Sequence, residues 1–171
     1  FVTEGKAQMA VVGIYDCLET TDYYGQNIMP FFGSDDMFMV RGTGSDGTHR
    51  DISHYLYNAS NTWIASVWRC AYQALDRANV AIASIEAMSG FAENKNLQEI
   101  DGQARFLRAY IAFDLVKFFG DVPFSTEYTN GFANTSKPRT DRELIYDQII
   151  EDLNYAKTYL KSGREVASSE I

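Results

Sequence analysis

Apolar residues recur along the chain in steps of three and four, and four stretches sustain that step long enough to be helices. The first runs from Glu4 to Leu18, with Ala7, Ala10, Val11, Ile14 and Leu18 on one side and Thr3 placed to cap it. The second runs from Asn61 to Met88, with Ser60 or Asn61 as cap. Ile64, Val67, Trp68, Ala71, Leu75, Ala78, Ile82 and Ile85 hold its face. Asn79 lies beside that face, so its amide is expected to be buried and hydrogen-bonded. The third runs from Leu97 to Phe119; Gln103 to Phe124 is the longest apolar run, and the chain is organised around it. One stripe is Leu97, Ile100, Ala104, Leu107, Ile111, Leu115 and Phe118; a second is Phe106, Tyr110 and Phe113. Two stripes predict a helix covered on two sides, with Asp101 and Arg105 paired along the polar edge that remains. At about 1.5 Å per residue it spans roughly 35 Å. Gly120 suits its stop, and Pro123 forbids its resumption. The fourth starts at Thr140, where Thr140-Asp-Arg-Glu143 spells a capping box, and carries Tyr146, Ile149, Ile150, Leu153, Ala156 and Leu160.

Between the first two helices, Thr21 to Ser60 holds no sustained helical period. Gly25, Gly33, Gly42, Gly44, Gly47 and Pro30 punctuate it, and Arg41 to Asp51 reads as loop. A structureless stretch of about forty residues is long for a compact domain, and such loops tend to be functional or disordered. Its many aromatics argue that it is ordered. Asp121 to Arg139 is a second loop. No strict repeat accompanies the helices. The fold class is therefore all-α: amphipathic helices joined by long irregular loops.

Composition narrows the function. At 171 residues, 46% hydrophobic and 14% aromatic, the chain supports one domain with a real core. A formal charge of −8 argues against nucleic acid and against docking on anionic lipid. No apolar run reaches the roughly 20 residues needed to span a bilayer; Arg105, Arg108, Asp114 and Lys117 interrupt the longest. The start at Phe1 and the unfinished segment 162–171 lead us to expect a piece of a longer protein. Cys17 and Cys70 read as free buried thiols, a bridge being the alternative. His49 and His54 do not match a zinc pattern, and Asp35, Asp36 and Asp46 lack the alternating ligands of a calcium loop. No nucleophile elbow, phosphate loop or dinucleotide fingerprint is present, so neither catalysis nor a cofactor is expected.

The run ARFLRAYIAFDLVKFFGDVPF, Ala104 to Phe124, resembles the signature helix of the SusD/RagB family of outer-membrane nutrient-binding lipoproteins of Bacteroidetes. The likeness extends more loosely on either side. Ser34-Asp35-Asp36 is similar to the family's acidic turn. Trp68, Tyr72 and Asn79 fit its second helix and read as scaffold, and Arg142, Tyr146, Ile149, Asp152, Leu153 and Ala156 fit its fourth. The resemblance implies a tetratricopeptide-like helical scaffold, with residues 1–171 as a single N-terminal domain and residues 21–60 as a loop insertion. It also implies a glycan ligand, a SusC-like TonB-dependent transporter as partner, and lipid anchoring on the extracellular face of the outer membrane. RagB-type members point instead to peptides or to a protein-interaction module.

Sugar sites set a flat aromatic face against the apolar face of the ring and fix hydroxyls with planar polar groups. The region from Arg41 to Trp63 holds such groups: Arg41, Asp46, His49, Arg50, Tyr55, Asn58 and Trp63. Starch-binding members place their first ligand residues in the comparable loop and at the start of the next helix. By that resemblance Asp46, Arg50 and Trp63 are the expected ligand residues, with Arg41 beside them. The competing reading has Trp63 packing over the start of its helix and the charges solvated.

Overall fold

The structure, a computed structural model, describes residues 3–25, 47–130 and 136–161. Its long helices follow the apolar periods closely. Helix α1 (Glu4–Glu19) is capped by Thr3, whose hydroxyl accepts the Lys6 amide at 3.3 Å. Ala7, Val11, Ile14 and Leu18 are buried on its inner face. A π-helical turn, Thr21–Gly25, follows. A short helix, α2 (Gly47–Ser53), occupies part of the stretch read as loop from Arg41 to Asp51. Seven residues are too few to show a period, which is why the pattern missed it. Residues 26–46, which include Ser34-Asp35-Asp36, lie outside the described residues.

Helix α3 (Thr62–Glu86) is capped by Asn61, whose carbonyl accepts the amides of Trp63 and Ile64 at 3.1 and 3.2 Å. Helix α4 (Lys95–Phe119) begins two residues before the apolar stripe, because the Asn94 side chain caps it. It stops at Gly120, whose φ of +69° and ψ of −131° suit glycine. Helix α5 (Arg142–Tyr159) is capped by Asp141 rather than by Thr140. The Thr140 backbone is engaged elsewhere: its amide donates to Val122 O at 2.9 Å in an isolated antiparallel bridge. The capping-box reading fails for that reason.

Helices α1, α3 and α4 pack on one another, and α5 lies along the far flank of α4. Contacts fix the directions. Asp16 meets Arg77 and Asp22 meets Arg69, so α1 and α3 are antiparallel. Gln8 meets Gln103 and Tyr23 meets Asp114, so α1 and α4 run the same way. Arg108 meets Asp152 and Gly102 meets Leu160, so α4 and α5 are antiparallel. This is the all-α, tetratricopeptide-like scaffold of paired helices. Its core is alanine-rich: Ala7, Ala71, Ala74, Ala78, Ala81 and Ala104 are almost fully buried, and small side chains let helix axes approach. Cys17 and Cys70 are both free and buried, and burial raises the Cys17 thiol.

Helix α4 is indeed covered on two sides, but the second side is not the expected one. Phe106, Tyr110 and Phe113 are 41%, 39% and 42% exposed. The face against α5 is instead built around Asp101, Gly102 and Arg108. Asp101 and Arg105 do pair, Oδ2 to Nε at 2.9 Å, yet Asp101 is fully buried rather than on an open edge.

Candidate functional site

Of the residues expected to hold ligand, Arg50 lies on α2 and Trp63 on α3. Helix α2 rests against α3. Its last turn carries Arg50, which is partly exposed and reaches Asp51 Oδ1 at 3.2 Å. Residues 54–60 then return the chain to α3, and the Asn58 side chain accepts the Ser60 amide at 2.8 Å. Trp63 stands half-buried in the first turn of α3, its position set by the Asn61 cap. Arg50 and Trp63 are thus brought onto two helices that touch. Arg41 and Asp46 lie outside the described residues. Between Arg50 and Trp63, Tyr55, Leu56 and Tyr57 are exposed.

A buried acid anchors the turn beside this region. Asp114 Oδ2 accepts the Tyr23 hydroxyl at 3.1 Å and also the Tyr24 hydroxyl, while Oδ1 receives Lys117 Nζ at 2.9 Å. Burial and that carboxylate raise both phenols far above the ordinary tyrosine range. The two tyrosines therefore act as fixed neutral donors that tie the end of α1 to α4. Neither is an acid or base near neutrality.

A cleft of about 420 Å³ opens on the other side of α3, against the loop that follows α4. Trp68 and Tyr72 wall it, their rings 4.8 Å apart, and Trp68 also meets Phe119 edge-on at 4.9 Å. Tyr72 donates to Pro123 O at 2.6 Å, and burial pushes its phenol up to about 12. Asn79 is buried and fully used. Its amide donates to Ser125 O at 2.8 Å and Glu127 O at 3.3 Å, and its carbonyl accepts Arg108 Nη1 at 3.1 Å. Asp76 accepts the Thr129 amide at 2.8 Å. Trp68, Tyr72 and Asn79 were expected to serve the scaffold, and the last two do spend their polar atoms fastening the loop. The cleft they help form was not expected. Its signal was present in Trp68 and Tyr72, one helical turn apart, ahead of the Pro123 loop.

The arrangement offers aromatic faces, carboxylates and guanidinium groups, a set suited to holding a polar ligand. The family model SusD-like_3, described as "Starch-binding associating with outer membrane", matches residues 6–168. The chain belongs to the SusD-like family.

"SusD-like protein P2" of Formosa agariphila is 26% identical over 162 residues, covering 94% of this chain and 32% of that protein. A solved "Laminarin binding SusD-like protein" is 28% identical with a TM-score of 0.81, covering 94% of this chain and 35% of that one. "Surface glycan-binding protein A" from Bacteroides fluxus shares the fold, at 23% identity and a TM-score of 0.81 over 98% of this chain and 36% of that one. This SusD-like chain therefore spans about a third of the length of the relatives it matches.

Proposed function

We propose that this chain is the helical N-terminal part of a glycan-capturing protein of the outer membrane. Residues 1–171 form one SusD-like domain, and the 21–60 insertion carries the first ligand residues. The protein is lipid-anchored on the extracellular face and hands its ligand to a SusC-like TonB-dependent transporter. Its mechanism is reversible binding, with no bond made or broken. Trp63 supplies a flat apolar surface for a sugar ring; Arg41, Asp46 and Arg50 hold hydroxyls. The observation that carries this reading is the family match over residues 6–168. The likeness to a laminarin-binding relative across nearly the whole chain supports the ligand class.

The chain has two tryptophans, Trp63 and Trp68, so emission reports directly on the region. The test is fluorescence titration with laminarin, starch and a peptide pool, using wild type, Trp63→Ala and Trp68→Phe. A glucan is expected to shift the emission, and Trp63→Ala to weaken binding by roughly tenfold or more while the helical signal is retained. Binding of peptides alone would replace this reading with the peptide-capturing one. Glucan binding that survives Trp63→Ala would leave the ligand class standing and move the site away from Trp63.

A further inference from the structure

Helix α2 ends in a specific way. The Leu56 amide donates to Asp51 O at 2.8 Å and the Tyr55 amide to Ile52 O at 3.0 Å. These paired bonds close a helix through a left-handed residue, a place that glycine fills most readily. Here that residue is Tyr55, with φ of +57°, the one non-glycine at positive φ among the described residues. A Cβ in that conformation crowds its own backbone and costs stability. The ring recovers nothing by burial, because Tyr55 is 68% exposed. Leu56 and Tyr57 beside it are exposed as well. Folding alone therefore gives no reason for an aromatic residue at this position. A function that needs the ring in solvent does.

We propose that Tyr55, continued by Tyr57, is the platform on which a glucan ring stacks, with Arg50, five residues earlier on α2, as the group that meets its hydroxyls. The proposal deepens the glycan reading above and rests on it. A glucopyranose presents a sheet of C–H bonds on its face, which an electron-rich tyrosine ring matches, and tyrosine orders only two side-chain torsions in doing so. At this left-handed position the ring stays open to solvent. The platform then lies between Arg50 and Trp63 in the chain, on the segment that joins the two helices holding them.

The experiment measures two quantities on the full chain: thermal midpoint and affinity for laminarin and for starch. The variants are Tyr55→Gly, Tyr55→Phe and Tyr57→Ala. Tyr55→Gly is expected to raise the midpoint by about 2–4 °C and to weaken glucan binding by roughly tenfold or more. Tyr55→Phe keeps the ring and is expected to hold affinity within about twofold, and Tyr57→Ala to weaken it less than Tyr55→Gly does. Gain of stability with loss of binding separates this role from a packing role, in which both fall together. A lower midpoint for Tyr55→Gly overturns the proposal. So does unchanged glucan binding by that variant, and in that case the glycan reading stands. If wild type binds neither laminarin nor starch, both readings fall.

Discussion

Helix α4 is held on its two sides by opposite chemistry. Toward α1 and α3 it presents aliphatic side chains, among them Leu107, Ile111 and Leu115, all nearly inaccessible. Toward α5 it presents charge. Arg108 grips Asp152 with two bonds of 2.7 Å, Nε to Oδ2 and Nη2 to Oδ1, and gives Nη1 to Asn79 at 3.1 Å. Arg105 reaches Asp101 at 2.9 Å, Asp152 at 3.3 Å and also Glu86, with its guanidinium 4.3 Å from the Tyr155 ring centroid. One row of polar groups thus joins α3, α4, α5 and the loop after Pro123. Apolar contact is non-directional and tolerates sliding; a fork-to-carboxylate pair does not. The apolar side supplies driving force, and the charged side sets register. Gly102 marks how close the charged side is, since an added Cβ would meet Leu160 at 3.4 Å.

The largest effect should come from breaking the charged side by half. Asp152→Ala leaves Arg108, 3% exposed, without its carboxylate. The expected cost is about 3–5 kcal/mol in urea denaturation, most of it the penalty of an unpaired buried charge. Replacing both partners, Asp152→Leu with Arg108→Met, is expected to recover most of that loss, because shape is refilled and no charge is stranded. If the single and double variants are equally unstable, the pair itself is the source of stability and the division of labour drawn above is wrong.

A smaller effect separates the two faces of α5. Ile149 is 5% exposed and Ile150 is 56% exposed, although they are neighbours of identical type. Ile149→Ala is expected to cost about 2–4 kcal/mol through lost burial and a cavity. Ile150→Ala is expected to stay within about 0.5 kcal/mol. Equal losses would mean that the outer face of α5 is covered in solution.

What could be read from the sequence follows the same division. The aliphatic side obeys the helical period, so Ala7, Val11, Ile14, Leu107 and Ile111 were assigned to the core correctly. The charged side breaks the rule on which that method rests, that charge on a helix marks the solvent face. Asp101 and Arg105 were therefore paired correctly but put on the wrong side, and Phe106, Tyr110 and Phe113 were assigned burial they do not have. Asn79 was placed well because its position beside the apolar face demanded a partner. The Thr140 cap failed because a bridge to Val122, eighteen residues back along the chain, claims its amide, and local pattern holds no sign of that. For the candidate site, the family resemblance pointed to Arg41, Asp46, Arg50 and Trp63 without any period to place them. The left-handed stop at Tyr55 lies in backbone torsion, which composition does not carry.

The finest test of the charged side uses pH. Burial raises the Asp101 carboxyl above its ordinary value of 3.8, against the downward pull of Arg105. The second carboxylate oxygen, Oδ1, is buried with no hydrogen-bond partner among the described residues. Burial and this neighbouring carboxylate raise the Tyr155 phenol in turn. A group raised on folding binds its proton more tightly in the native state than in the unfolded chain. Its contribution to stability is therefore complete below about 3.8 and is lost as pH rises through the higher native value. Asp101→Asn keeps an acceptor for Arg105 and cannot titrate. The difference in thermal midpoint between variant and wild type is expected to move in favour of Asn as pH is raised from 4 to 7. A difference that moves the other way would show that Arg105 outweighs burial at this position, and the row would then be a net ionic clamp instead of a register device.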